Sequence, residues 1–195
     1  MLTEILIVVA LTIVNGLLAM SELAVVSSRT ARLKVLSDQG SKGAATAMRL
    51  AEDPGRFLST VQIGITLVGV LSGAFSGATL GARLSEWLGT HGFSPSVSDT
   101  LGVGIVVVAI TYLSLILGEL VPKQIALRDP ERVAARVAPV MALLAKIGSP
   151  LVWLLDVSGK TVLALLGQKG ESEEKVTEEE VRTIIAEAET AGVLE

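Results

Sequence analysis

The sequence predicts an all-α membrane protein: three transmembrane helices, membrane-surface and juxtamembrane helices beside them, and the start of a cytosolic helical bundle. Three observations carry this. Half of the residues are hydrophobic and 18% are charged, against about 25% charged in an ordinary soluble domain. Three apolar runs reach the ~20 residues needed to cross the hydrocarbon core. Basic residues flank those runs on alternate sides, as the positive-inside rule requires of a threaded chain.

The first span covers about 2–26. It carries Glu4 and no basic leader, so it reads as a retained helix and not a cleaved signal. The connection that follows holds Arg29, Arg32, Lys34, Lys42, Arg49 and Arg56. The second span covers about 57–80, and the connection after it, 82–100, carries only Arg83 as a basic residue. The third covers about 101–121 and is followed by Lys123, Arg128, Arg132 and Arg136. This asymmetry predicts an outside N-terminus, an inside first connection and a return to the cytoplasm after Val121. The stretch 137–166 is apolar but is interrupted by Lys146, Pro150 and Asp156. Two half-helices broken at Gly148-Ser149-Pro150, re-entrant or interfacial, fit it better than a fourth crossing. These elements make up a transmembrane domain over 1–166.

Residues 167–195 form a second region. Gln168 to Lys175 reads as a charged linker, and Thr177 with Glu180 forms a capping box that starts a helix. Val181, Ile184, Ile185 and Ala188 give this acidic helix one narrow apolar face, which predicts a following cytosolic domain.

The chemistry available is narrow. There is no cysteine, and the single histidine, His91, lies in a polar connection. This disfavours thiolate metal sites, a histidine proton relay and a serine–histidine pair, and no enzyme is expected. The segment Gly118-Glu-Leu-Val-Pro-Lys123 closes the third span. Pro122 has no N–H, so the carbonyl of Gly118, four residues back, loses its helical partner. Glu119 lies beside it. A bare carbonyl and a carboxylate at one helix break suit a small hard cation, and lipid would tolerate neither unpaired. Pro122 is the natural hinge.

Other polar residues interrupt the spans. The first carries Asn15, Ser21 and Glu22, and the second carries Gln62, Thr66, Ser72 and Ser76. Glu22 and Glu119 fall at similar depth, and Gln62 and Thr66, four apart, share a helix face. An all-oxygen site from Ser21, Glu22, Gln62, Thr66, Gly118 and Glu119 suits Mg²⁺ or Ca²⁺, with Na⁺ also able to use it. Gly69, Gly73, Gly77 and Gly81 recur every four residues, a small-residue stripe for close helix packing within a subunit or across a dimer.

Ser21-Glu22-Leu-Ala24, Gln62-Ile-Gly64-Ile-Thr66 and Gly118-Glu119-Leu-Val-Pro122-Lys123, in this order and spacing, resemble the transmembrane domain of the CorC/cyclin M family. The resemblance covers nearly the whole chain, and Gly-Glu-x-x-Pro-Lys is its most specific piece. It implies a homodimeric, multi-pass protein of the plasma (inner) membrane that exports Mg²⁺ with Na⁺ as coupling ion. It also implies a pair of cytosolic CBS domains after the acidic helix, and no nucleic-acid partner. The alternatives are a cation sensor that transports nothing and a purely structural anchor.

Overall fold

The structure is a computed structural model and describes residues 2–167. The predicted linker and capping-box helix at 168–195 lie outside the described residues. All regular elements described are helical. The chain divides into two units, Met1–Val152 and Trp153–Glu195. In the second, the described residues complete the final helix and end at Gly167.

Helix α1 (Leu2–Ser27) is the first span. Two short helices follow, α2 (Thr30–Asp38) and α3 (Lys42–Glu52), the latter capped by the Ser41 hydroxyl accepting the Ala44 N–H. Asp53 caps the next helix through the Arg56 N–H, and Pro54 starts it, a first-turn position where a missing N–H costs nothing. Helix α4 (Pro54–Ser76) continues through a π turn, Gly77–Gly81, into α5 (Ala82–Thr90). After a short turn closed by Gly92 at φ +92°, α6 (Pro95–Leu115) runs through a second π turn, Ile116–Leu120, into α7 (Val121–Arg128). Helix α8 (Pro130–Leu165) closes the described chain.

The helices extend beyond two of the predicted spans, and one expected break is absent. The spans at 57–80 and 101–121 are the apolar parts of longer helical runs, Pro54–Thr90 and Pro95–Arg128. A predicted span ends where the composition turns polar, whereas a helix continues while its backbone bonds and packing are satisfied. The 82–100 connection is accordingly a helical hairpin: a Cβ on Gly102 would lie 2.5 Å from the Ser85 nitrogen, and the Ser85 hydroxyl bonds to Asp99. The break expected at Gly148-Ser149-Pro150 is also absent, because α8 is continuous through both Pro139 and Pro150. By length and composition alone, α8 joins α1, Pro54–Thr90 and Pro95–Arg128 as a helix able to cross a bilayer.

Pro139 shows how an internal proline is tolerated. It frees the Ala135 carbonyl, and the Gly43 backbone of α3 presses against that carbonyl; a Cβ on Gly43 would collide with it. The surrounding core is built largely on fully buried alanines, Ala44, Ala47, Ala126, Ala134 and Ala138, around Leu33, Phe57 and Val61. Small side chains let helices approach closely where lipid supplies no hydrophobic drive. Glu131, only 5% exposed, ties the start of α8 to the start of α2, accepting the Arg29 N–H at 3.3 Å with Arg32 at 3.8 Å. At the opposite end, Arg83 bridges to Glu4 at 2.8 Å, which joins α5 to the start of α1.

The glycine stripe divides. A Cβ on Gly81 would lie 3.1 Å from the Val103 Cα, and one on Gly77 would touch Val103 and Val107, so this half packs against α6. Gly69 and Gly73 have nothing within 4 Å of a Cβ. They do not pack a helix within the described chain; they line a cavity.

Candidate ion site

The helix does not break at Pro122. The chain passes through the π turn Ile116–Leu120 and resumes as α7 with proline in its first turn. A wider π turn redistributes the carbonyls that the missing N–H would orphan, and such single-turn bulges gather at functional sites. The Gly118 carbonyl is not bare: the Asn15 amide of α1 donates to it at 3.1 Å. Gly16 permits this approach, since a Cβ there would lie 2.9 Å from Pro122 Cγ and 3.1 Å from the Leu117 carbonyl oxygen.

Having spent its N–H on Gly118, Asn15 leaves its own Oδ1 buried without a partner. The Ser72 hydroxyl on α4 is in the same state. Both residues line one cavity of about 190 Å³. Glu119, Thr111, Ser114, Gly69 and Gly73 line it too. An unpaired buried amide oxygen or hydroxyl costs on the order of 1–3 kcal/mol. The two oxygens are themselves closed to solvent, and their side chains would have to turn toward the cavity to join the partly exposed Glu119 around a cation. The volume exceeds the roughly 10–15 Å³ that one water centre needs. The donors are all oxygen, which is hard-ion chemistry. Among the described residues, no group of three His, Cys, Asp or Glu converges on a metal position.

The predicted site residues are only partly gathered. Glu119 lines the cavity, and Gly118 adjoins it through Asn15. Ser21 is fully buried elsewhere: its hydroxyl donates to the Leu18 carbonyl at 2.7 Å and lies 3.1 Å from Met141 Sδ, on the face of α1 turned to α8. Glu22 sits 3.8 Å from Lys123, seven residues beyond Asn15 on α1 and thus on the same face two turns away. Gln62 and Thr66 are exposed, on the stripe of α4 that continues into Gly69 and Gly73 but one to three turns nearer its N-terminus. Asn15 and Ser72 were visible as polar interruptions of apolar helices, but nothing in the sequence aligned them with Glu119. Thr111, Ser114 and Gly118 are three and four apart, a weak signal of one face on α6 and its π turn.

The sequence matches the family described as the cyclin M transmembrane N-terminal domain over residues 5–195. The chain belongs to that family. Its apolar helices and this membership make it a multi-pass membrane domain. Among the family's relatives, a UPF0053 protein of Synechocystis sp. is 44% identical over 192 residues, 98% of this chain and 43% of that protein. A polyamine export protein of Haemophilus influenzae is 28% identical over 190 residues, 97% of this chain and 44% of the relative. One of Salmonella typhimurium bearing the same name is 30% identical over 194 residues, covering 100% and 43% respectively. This family domain thus spans less than half the length of each of these relatives.

Proposed function

We propose that this domain carries Mg²⁺ out of the cytoplasm in exchange for inward Na⁺, as a homodimer in the plasma membrane with its N-terminus outside and its C-terminus cytoplasmic. The observation that carries the reading is a cavity lined by Glu119 together with Asn15 and Ser72, two residues whose side-chain oxygens are buried without a partner. One carboxylate with neutral oxygens suits a transported ion better than a resident one, because Mg²⁺ gives up water reluctantly and must also leave. Glu119 supplies charge, Asn15 and Ser72 supply neutral oxygens, and the Gly118 carbonyl holds the Asn15 amide in place. The Glu22–Lys123 pair and the exposed Gln62 and Thr66 lie on the path towards the cytoplasmic side, where Glu22 shapes the route for sodium. The π turn before Pro122 is the segment that changes access, since irregular backbone at membrane depth lines cavities. The domain acts without enzymatic chemistry, and cytosolic CBS domains follow it in the full-length protein.

The test is Mg²⁺ efflux from loaded proteoliposomes with and without a sodium gradient, for the parent and Glu119→Gln. Efflux that falls at least tenfold in the variant supports the site; unchanged efflux overturns it. Sodium-independent efflux removes the exchange and leaves the site. Mg²⁺ binding without movement makes the domain a sensor.

A second reading rests on the relatives named polyamine export protein. A protonated amine is also a cation that offers hydrogens to carboxylate, amide and hydroxyl oxygens. Spermidine efflux that survives without Mg²⁺, and fails in Glu119→Gln, would assign the same cavity to that cargo.

A further inference from the structure

Arg49 at the end of α3, Arg56 in the first turn of α4 and Lys146 in the middle of α8 line one groove of about 310 Å³. They come from three separate helices of the first unit and converge at the level where α4 turns apolar, at Phe57. The floor is Leu50, Phe57, Ala142 and Ala145. One carboxylate, Asp53, shares the lining, and its Oδ1 is occupied in accepting the Arg56 N–H. Among the described residues, none of the three cations forms an ion pair; Arg56 donates to the Ser149 hydroxyl at 2.8 Å and Arg49 to the Thr46 hydroxyl at 3.2 Å. Lys146 is therefore more than an interruption of an apolar stretch. It is the third corner of a cationic rim.

We propose that this groove binds the phosphate headgroup of an anionic phospholipid, Arg49, Arg56 and Lys146 clasping the phosphate and the apolar floor taking the start of an acyl chain. Two arginines and a lysine lining one groove, with a net lining charge of three minus one, match a phosphate held by fork-like and point-charge donors. Basic pockets between membrane helices at the interface are where such headgroups settle. The apolar floor decides between sources, because a soluble phosphate gains nothing from the part-exposed Leu50, Ala142 and Ala145 whereas a lipid does. A bound lipid would staple α3, α4 and α8 together below the ion cavity.

The test compares thermal unfolding and native mass spectra of the detergent-solubilised chain with phosphatidylcholine, phosphatidylglycerol or cardiolipin, and with inorganic phosphate alone. Parent protein should retain and be stabilised by the two anionic lipids and not by phosphatidylcholine or inorganic phosphate. At about fivefold per basic residue at a membrane surface, Arg49→Gln with Lys146→Gln should weaken anionic-lipid binding about thirtyfold. Arg128→Gln, an exposed cation outside the groove, should leave it unchanged. Arg49→Lys with Arg56→Lys keeps the charge but not the fork, and should lose less anionic-lipid binding than the double glutamine variant while melting like the parent without lipid; a loss as large as in the glutamine variant overturns the charge-based clasp. Equal anionic-lipid retention in the double glutamine variant, or equal stabilisation by inorganic phosphate, overturns the proposal. So does a loss in Arg128→Gln as large as in the double variant.

Discussion

Replacing Ser72 with alanine sets two physical effects against each other. Ser72 is 5% exposed, and its hydroxyl has no hydrogen-bond partner. A buried hydroxyl left unpaired costs folding free energy, about 1–3 kcal/mol at full desolvation. Ser72→Ala should therefore leave the ion-free protein as stable as the parent, or more stable by up to about 1 kcal/mol. At roughly 2–4 °C per kcal/mol for a chain of this size, that is a rise of up to about 4 °C. With Mg²⁺ the sign reverses. At a hundred times its dissociation constant, a ligand stabilises the native state by about 2.7 kcal/mol. If the hydroxyl contributes one tenfold step in affinity, the same Mg²⁺ concentration stabilises the variant by only about 1.4 kcal/mol. The Mg²⁺-dependent shift should fall by about half while the ion-free midpoint holds or climbs. Thermal unfolding in detergent across a Mg²⁺ titration measures both. An ion-free midpoint several degrees below the parent, with an undiminished Mg²⁺ shift, would show that Ser72 is a packing residue and refute the reasoning.

Other outcomes follow from the same geometry. Gly43→Ala puts a Cβ onto the Ala135 carbonyl and should lower stability by about 1–3 kcal/mol, read as a fall in the melting midpoint. Gly69→Ala meets nothing within 4 Å and should be neutral, or stabilising by up to about 1 kcal/mol from helix propensity, yet slow efflux because it narrows the cavity. The Glu22–Lys123 pair is part-exposed at 3.8 Å, so a double-mutant cycle with glutamine at both positions should give a coupling under about 1 kcal/mol. A coupling above about 2 kcal/mol would mean the pair closes more tightly than this structure shows.

The sequence by itself determined the class of the protein. Apolar runs of sufficient length, sparse charge and alternating basic flanks follow from one-dimensional constraints, because lipid penalises every unpaired polar group along the chain. The Gly-Glu-x-x-Pro-Lys segment was legible for the same reason: a carboxylate and a proline stand out where few are tolerated, and Glu119 does line the cavity. The tertiary structure decided which oxygens join it. Asn15 is placed by the close approach of α1 at Gly16, and Ser72 lines the same cavity from α4, whereas Ser21 is turned onto α8 and Gln62 and Thr66 stay outside. Where the sequence predicted a break at Pro122, the chain forms a π turn whose Gly118 carbonyl accepts from Asn15 of α1. Pro139 and Pro150 likewise sit within a continuous α8, with Gly43 against the carbonyl that Pro139 frees. Composition and periodicity report what a segment does with solvent; which neighbour completes its polar groups depends on rotations and approaches that only the packed helices define.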